Sequence, residues 1–479
     1  MDLSNLPSYF QRFGVTEREW RQVLAEATSF GADDADLYFE HSTATAVGLS
    51  DGIVNAAHTG IDIGVGIRVV LGDQVGYAYT EDLSLPAMLE AARMAREIAR
   101  TSNRPAPEAP GIRATAANAH FYPVERRWSD VDIASRIPLI RDWESRTFAQ
   151  DARVEKVQVN LADTDKVVLI VRADGKVVAD YRPMTRASVS CVIEDGDRRE
   201  TGRYNVSARH DLSYYTADRQ ERLVREAVRR ATDALRSVPA PAGEMPVVMA
   251  AGSSGILLHE AIGHGMEADF NRKGISIFAD RIGSAIAPSE VTIVDDGTLP
   301  NARGAINTDD EGNATEKTVL VENGTLRTFL HDRISARHYG VEGTGSGRRE
   351  SFRHPVLPRM RCTYMENGPH DPQAIIASVD RGLYCESFQN GQVAIGAGDF
   401  AFYVRQGYLI ENGKLTQPVK DVNLIGNGPD VLATIDMVGN DMVIDEGGWT
   451  CGKDGQSVPV SQGMPTVKVG KLSIGGGAR

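Results

Sequence analysis

Cysteine is scarce in this chain, with four in 479 residues, at Cys191, Cys362, Cys385 and Cys451. So few thiols, so widely spaced, do not make the disulfide framework of a small secreted protein, and reduced cysteines are expected. Long apolar runs are missing as well: no segment approaches the ~20 residues that span a bilayer. The stretch Met1-Asp2-Leu3-Ser4-Asn5-Leu6-Pro7 has no basic region followed by an apolar run, so the expectation is a cytoplasmic protein with no membrane partner. Basic residues are in deficit, 52 Lys and Arg against 65 Asp and Glu, for a formal net charge of −13. That balance argues against phosphate-backbone binding as the main activity, and no nucleic-acid partner is expected. The rest of the composition is ordinary for a globular protein, 42% hydrophobic and 24% charged, enough to bury sizeable cores. The length exceeds a single ordinary core, so at least two domains are expected.

Periodicity predicts an α+β protein, with an N-terminal helix and antiparallel-sheet domain followed by a β-rich C-terminal domain. Thr16 to Ala27 has an acidic first turn and helical apolar spacing. Asp36–Glu40, Ala44–Leu49 and Gly64–Leu71 read as strands, with a turn at Asp51-Gly52. A helix is expected from Ser84 to Thr101, a proline-rich loop over 103–111, and a helix from about Ser129 to Ala149. A strand meander runs from Val154 to Ile193, broken at Ala173-Asp174-Gly175. The charged helix from Ala217 to about Arg236 interleaves arginines with acids, which reads as a solvated surface. Val238-Pro239-Ala240-Pro241-Ala242-Gly243 is the clearest boundary, giving domains at 1–237 and 246–479 joined by a linker at 238–245. Beyond it, Pro246–Ala250 reads as a buried strand, and Asn323-Gly324 and Asn412-Gly413 as hairpin turns. No fixed-period repeat is expected.

The densest chemistry lies in His259-Glu260-Ala261-Ile262-Gly263-His264-Gly265-Met266-Glu267-Ala268-Asp269. Two imidazoles with an adjacent carboxylate suit a metal site, but the spacing is one residue longer than the i, i+4 pair of zinc-hydrolase helices. In a regular helix the two histidines would point roughly 140° apart. One ion can take both only if the helix bulges, tightens or ends between them. Gly263 and Gly265 are expected to permit this through their backbone freedom. Glu260 is placed to act as a base without being a ligand. The bland reading makes His259 a hydrogen-bonded core residue and Glu260 a surface carboxylate. For a third ligand the residues leave Cys451, Cys385, Cys362, His331, His338, His354, His370, Glu267 and Asp269 open. A Cys451 thiolate suits zinc, with Lys453 nearby favouring its deprotonation. Cys451 as a nucleophile with a histidine base is a further reading.

The stretch from His259 through Phe270-Asn271-Arg272-Lys273-Gly274 resembles the signature of the TldD/PmbA family of metallopeptidases, in its catalytic TldD-type branch. The resemblance continues in Asp309-Asp310-Glu311-Gly312, Gly347-Arg348-Arg349-Glu350-Ser351, Pro358-Arg359-Met360, Tyr408 to Lys414 and Cys451-Gly452-Lys453-Asp454-Gly455-Gln456. It implies that His259, His264 and Cys451 bind Zn2+ and that Glu260 is catalytic. It also implies unfolded or short peptides as substrates and a dimer, with a second copy or a paralogous PmbA-type subunit. Cys362 and Cys385 depart from the family pattern and are expected to alter the substrate cleft. The reading is therefore a zinc-dependent peptidase in which Glu260 moves a proton from water to the leaving amine. The alternatives are a noncatalytic peptide-binding or maturation factor and a cysteine-nucleophile hydrolase.

Overall fold

A computed structural model describes residues 6–99, 113–114 and 119–475; the expected loop over 103–111 lies outside them. The chain opens with helices α1 (Leu6–Phe13) and α2 (Glu17–Thr28). The second starts at Thr16, whose hydroxyl accepts from the Glu19 amide while the Glu19 carboxylate accepts from the Thr16 amide, a reciprocal cap for two otherwise unpaired donors. Three antiparallel strands follow, β1 (Asp34–Ser50), β2 (Ile53–Leu71) and β3 (Gln74–Thr80), then α3 (Leu85–Ala99). After the two-residue strand β4 (Arg113–Ala114) come α4 (Ile137–Gln150), β5 (Val154–Arg172), β6 (Lys176–Asp195), β7 (Arg198–Ala208) and α5 (Ala217–Arg236).

These strands form one sheet in the order β3-β2-β1-β5-β6, with β4 and β7 beside β6. The unit helix, three strands, helix thus occurs twice, mirrored about the β1–β5 pair, although no repeat is legible in the sequence. Glycines mark the equivalence. A Cβ on Gly76 of β3 would overlap the backbone of Ala95 in α3, and one on Gly202 of β7 would overlap the backbone of Ala227 in α5. Each third strand meets its helix at backbone contact.

Strand alternation divides the sheet into two faces. Odd positions such as Leu37, Phe39, Ile67 and Leu169 pack on α2 and α3, while Val157, Val159, Val189 and Cys191 pack under α4 and α5. Even positions face the second half of the chain, with Tyr38, Val168 and Ile170 packing on Phe352. Beside that apolar patch lies buried charge. Arg68 holds Asp36 at 2.6 Å and Glu311 at 2.5 Å, Arg349 reaches Asp36 at 3.1 Å, and Arg182 holds Asp180 at 2.8 Å and Asp310 at 2.5 Å. Burial opposes the charged form of Asp36, yet Arg68 and Arg349 outweigh it and hold the carboxyl below its ordinary value.

Helix α5 is less a free surface than its composition suggests. Arg219 and Arg222 pair with Glu446, and Arg229 with Glu386, across the two halves. The expected linker is also partly strand: Val238–Pro239 (β8) and Gly243–Met249 (β9) join a sheet of the second half because their backbones find partners there. That sheet closes on itself. Arg381–Ala394, β9, Val467–Gly475, Val422–Asn427 and Asp399–Glu411 pair in turn, and the last pairs back onto the first. A six-stranded sheet including Ile293–Asp296, Cys362–Met365 and Ser461–Met464 lies nearby, and side chains of both sheets share the largest core with Leu257, Leu258, Ala261 and Ile262. The architecture is α+β, as expected. No helix among the described residues is long and apolar enough to cross a membrane.

Candidate metal centre

Strand β9 delivers the chain to Gly252, whose φ of 85° favours glycine, and then into a largely buried helix whose Ile256, Leu257, Leu258, Ala261 and Ile262 join the core. The helix begins tightly at Ser253–Gly255, runs one regular turn over Ile256–Leu258, and widens into a π turn over His259–Gly263. Within that turn the His264 amide donates to the His259 carbonyl, an i to i+5 bond that brings residues five apart onto one side. The imidazole centroids are 5.0 Å apart with the rings at 85°. The expected distortion therefore lies between the two histidines, but not for the expected reason. Gly263 has ordinary right-handed angles, φ −57° and ψ −52°. Its missing side chain matters for space, since a Cβ there would overlap Met360 Sδ, and one on Gly265 would come within 2.7 Å of the Phe278 ring.

Cys451 arrives on a hairpin, Thr450–Lys453 paired with Gln456–Pro459, turned by Asp454 and Gly455 at positive φ. Alternation sends Cys451 and Lys453 inward and Thr450 and Gly452 outward. The Cys451 Sγ lies 3.6 Å from His264 Nε2, and one ligand atom each of His259, His264 and Cys451 all fall within 4.8 Å of one another. Burial would raise the Cys451 thiol, but the two imidazoles outweigh it and hold it well below its ordinary value. Lys453 does not supply that effect, contrary to expectation, because its ammonium is committed to Asp269 at 2.6 Å and Glu267 at 3.2 Å.

A second layer orients the three groups. His264 Nδ1 faces Glu267 Oε2 at 2.9 Å. A carboxylate only accepts, so Nδ1 carries the proton and Nε2 is left toward Cys451. Burial works against the Glu267 charge, yet Lys453 and His264 lower its pKa to about 2. Arg359 Nη2 donates to the Cys451 carbonyl at 2.7 Å, and its Nε lies 3.8 Å from Glu267 Oε1. These orienting roles differ from the sequence expectations, which left Glu267 open as a ligand, gave Lys453 a part in deprotonating Cys451 and gave Arg359 none. Two had a signal: Glu267 is three residues beyond His264, and Lys453 is two beyond Cys451 on a strand.

The other candidate ligands are elsewhere. Cys362 and Cys385 are fully buried in strands, and burial pushes the Cys362 thiol up to about 12 and the Cys385 thiol higher. Neither lines the cleft they were expected to alter. His331, lowered to about 4 by burial, sits beside Thr328, His354 beside Ser351, and His370 beside Val438. His338 stacks edge-on to Tyr339, and Asp269 holds Lys453.

Above the cluster opens a cleft of about 740 Å³, lined by His259, Glu260, His264, Phe270, Gln392 and Trp449 among others. Glu260 is half-buried on its wall and lies outside the three-residue cluster.

Family models for the PmbA/TldA metallopeptidases match three stretches: domain 1 at 35–99, the central domain at 126–235 and the C-terminal domain at 242–476. A metalloprotease TldD homolog of Haemophilus influenzae is 41% identical over 452 residues, covering 93% of each chain. The chain belongs to the TldD/PmbA metallopeptidase family. A Buchnera aphidicola TldD homolog is 38% identical over 464 residues, covering 95% of each chain. Among solved structures, a candidate modulator of a DNA gyrase from Thermotoga maritima superposes with a TM-score of 0.77 at 21% identity, over 96% of this chain and 100% of that one. TldE from Thermococcus kodakarensis does so with a TM-score of 0.74 at 19% identity, over 96% and 100%. At those identities the two structures establish the family fold. The metalloprotease names of the sequence relatives imply a metal for family members, and the donor set here suits one. His259 Nδ1 is buried with no hydrogen-bond partner, and two imidazoles with a lowered thiol are the ligand types of zinc sites.

Proposed function

We propose that this chain is a zinc-dependent peptidase of the TldD-type branch, acting on unfolded or short peptides. His259, His264 and Cys451 would hold the ion and Glu260 would be the general base. The observation that carries the reading is the convergence of those three side chains beside a cleft that His259 and His264 line, with Cys451 just behind its wall, and whose wall bears Glu260. When bound, zinc supplies a Lewis acid that acidifies water and polarises a carbonyl.

The chain's own groups do the rest. Glu267 fixes the His264 tautomer, and Arg359 anchors the Cys451 backbone. Glu260 takes a proton from the attacking water and returns it to the leaving amine. An extended substrate has a place to lie. Beyond Cys385, the strand Arg381–Ala394 keeps, among the described residues, a strand partner only on the side of Asp399–Gln406, while Gln389, Gly391 and Val393 line the cleft. Backbone pairing along such an edge reads peptide more than side chain. A dimer, with a second copy or a paralogous subunit, is part of the proposal.

The lowered Cys451 thiol favours one other reading, a thiol hydrolase with His264 as base. Against it, Cys451 is 1% exposed, behind Thr450 and Gly452 on the cleft wall. Metal analysis with a peptide-cleavage assay separates the two. The zinc reading predicts about one ion per chain and cleavage abolished by a strong chelator and restored by zinc. Cleavage that survives complete metal removal would sink it.

A further inference from the structure

Next to the cleft, and sharing Gln389, Gly448 and Trp449 with it, is a recess of about 250 Å³ lined by Arg186, Arg203, Arg230 and Arg405. In a chain of net charge −13, four arginines collect there without acid partners. None of the four guanidiniums is ion-paired among the described residues, in contrast to Arg219, Arg222 and Arg229 on the same helix as Arg230. Arg230 does donate to the Arg203 carbonyl and stacks on Tyr204. A carboxylate on the recess wall, Asp445, accepts from the Trp449 indole at 2.7 Å and the Gly447 amide at 3.0 Å. Arg186 reaches the shared rim: a Cβ on Gly448 would come within 2.6 Å of its Nε. Arg186, Arg230 and Arg405 are half-buried and Arg203 is exposed.

We propose that this recess binds a carboxylate of the peptide substrate, either its C-terminal carboxylate or an Asp or Glu side chain, beside the bond to be cut. The inference rests on the peptidase reading above. A guanidinium fork matches a carboxylate in charge and geometry, with paired N–H donors that a neutral amide cannot satisfy as well. Burial lowers the pKa of Arg186 and Arg405, and neighbouring arginines lower it further, so an entering anion relieves a repulsion already present. The volume is below the ~300–1,000 Å³ of pockets for drug-sized ligands, which suits one side chain or a chain end.

The test uses the zinc-loaded full chain, as wild type, Arg186→Gln, Arg405→Gln and Arg405→Lys. Substrates are matched peptides: free acid against C-terminal amide, and internal Glu against Gln. Wild type is expected to prefer a carboxylate peptide by about ten-fold in kcat/KM, mainly through KM. Both Gln variants should lose that preference while cleaving the neutral peptides as wild type does, and Arg405→Lys should keep part of it. The free-acid pair and the Glu/Gln pair tell which carboxylate is read. Equal kcat/KM for acidic and neutral peptides in wild type, or an undiminished preference in both Gln variants, overturns the subsite and leaves the peptidase intact. If no peptide is cleaved, the peptidase reading fails, and fluorescence anisotropy with the same labelled peptides decides the subsite. A carboxylate preference in binding that the Gln variants lose supports it, and equal binding overturns it.

Discussion

Two buried clusters of ionisable groups in this molecule are built on opposite plans. Between the two halves of the chain, Asp36, Asp310 and Glu311 meet Arg68, Arg182 and Arg349, and each acid has a guanidinium against it. Beneath the cleft, His259, His264 and Cys451 bring lone-pair donors toward one another, and the matched charges, Glu267 with Lys453 and Arg359, stand one layer further out. Direct pairing makes the first cluster a fastener. Convergence of donors suits the second to a shared cation, because a thiolate beside two imidazoles would be stabilised further by an ion that all three can hold. Perturbed groups arise in both places, so a shifted pKa does not by itself distinguish structure from function.

That contrast can be broken from either side. The largest effect is expected from Cys451→Ser, which removes a ligand: zinc content should fall well below one per chain and cleavage by at least ~100-fold, with stability measured in the presence of chelator nearly unchanged. Arg68→Ala should do the opposite. Removing one partner of a buried pair costs about 3–5 kcal/mol, read as a lower denaturant midpoint, while the folded protein keeps its zinc. The sign of the pH dependence follows from Asp36, whose carboxyl is held below its ordinary value. Its stabilisation is fully present above the ordinary aspartate value of about pH 4 and is lost as the pH falls below it toward the lowered folded value, so the gap between wild type and Arg68→Ala should narrow in acid. A smaller effect is expected from Glu267→Gln, an orienting group: zinc affinity should weaken about 10- to 100-fold, measured by competition with a chromophoric chelator. Zinc affinity equal to wild type in that variant would remove Glu267 from the support of the site.

Local chemistry was the most legible part of the chain. The helix that follows Thr16, the turns at Asp51-Gly52, Asn323-Gly324 and Asn412-Gly413, and helix Ala217–Arg236 follow from residues close in sequence. Strand β1 reads as two pieces because His41, Ser42 and Thr43 interrupt its apolar alternation; ladders to both β2 and β5 keep it whole. The duplicated unit was hidden because its two copies satisfy one topology with different residues. At the site, the spacing of His259 and His264 demanded a distorted helix, and the π turn supplies it. What local reasoning did not supply was space: Gly263 is needed because Met360 lies against it. Arg359 and the partners of Lys453 come together only through the tertiary fold.

The proposed peptidase requires the three-residue cluster to hold zinc and Glu260, outside it, to move the proton. Zinc content and peptide cleavage measured together on Glu260→Gln test it most directly. The account predicts about one zinc per chain, as in wild type, with kcat reduced at least ~100-fold. Cleavage at the wild-type rate by zinc-replete Glu260→Gln would contradict it.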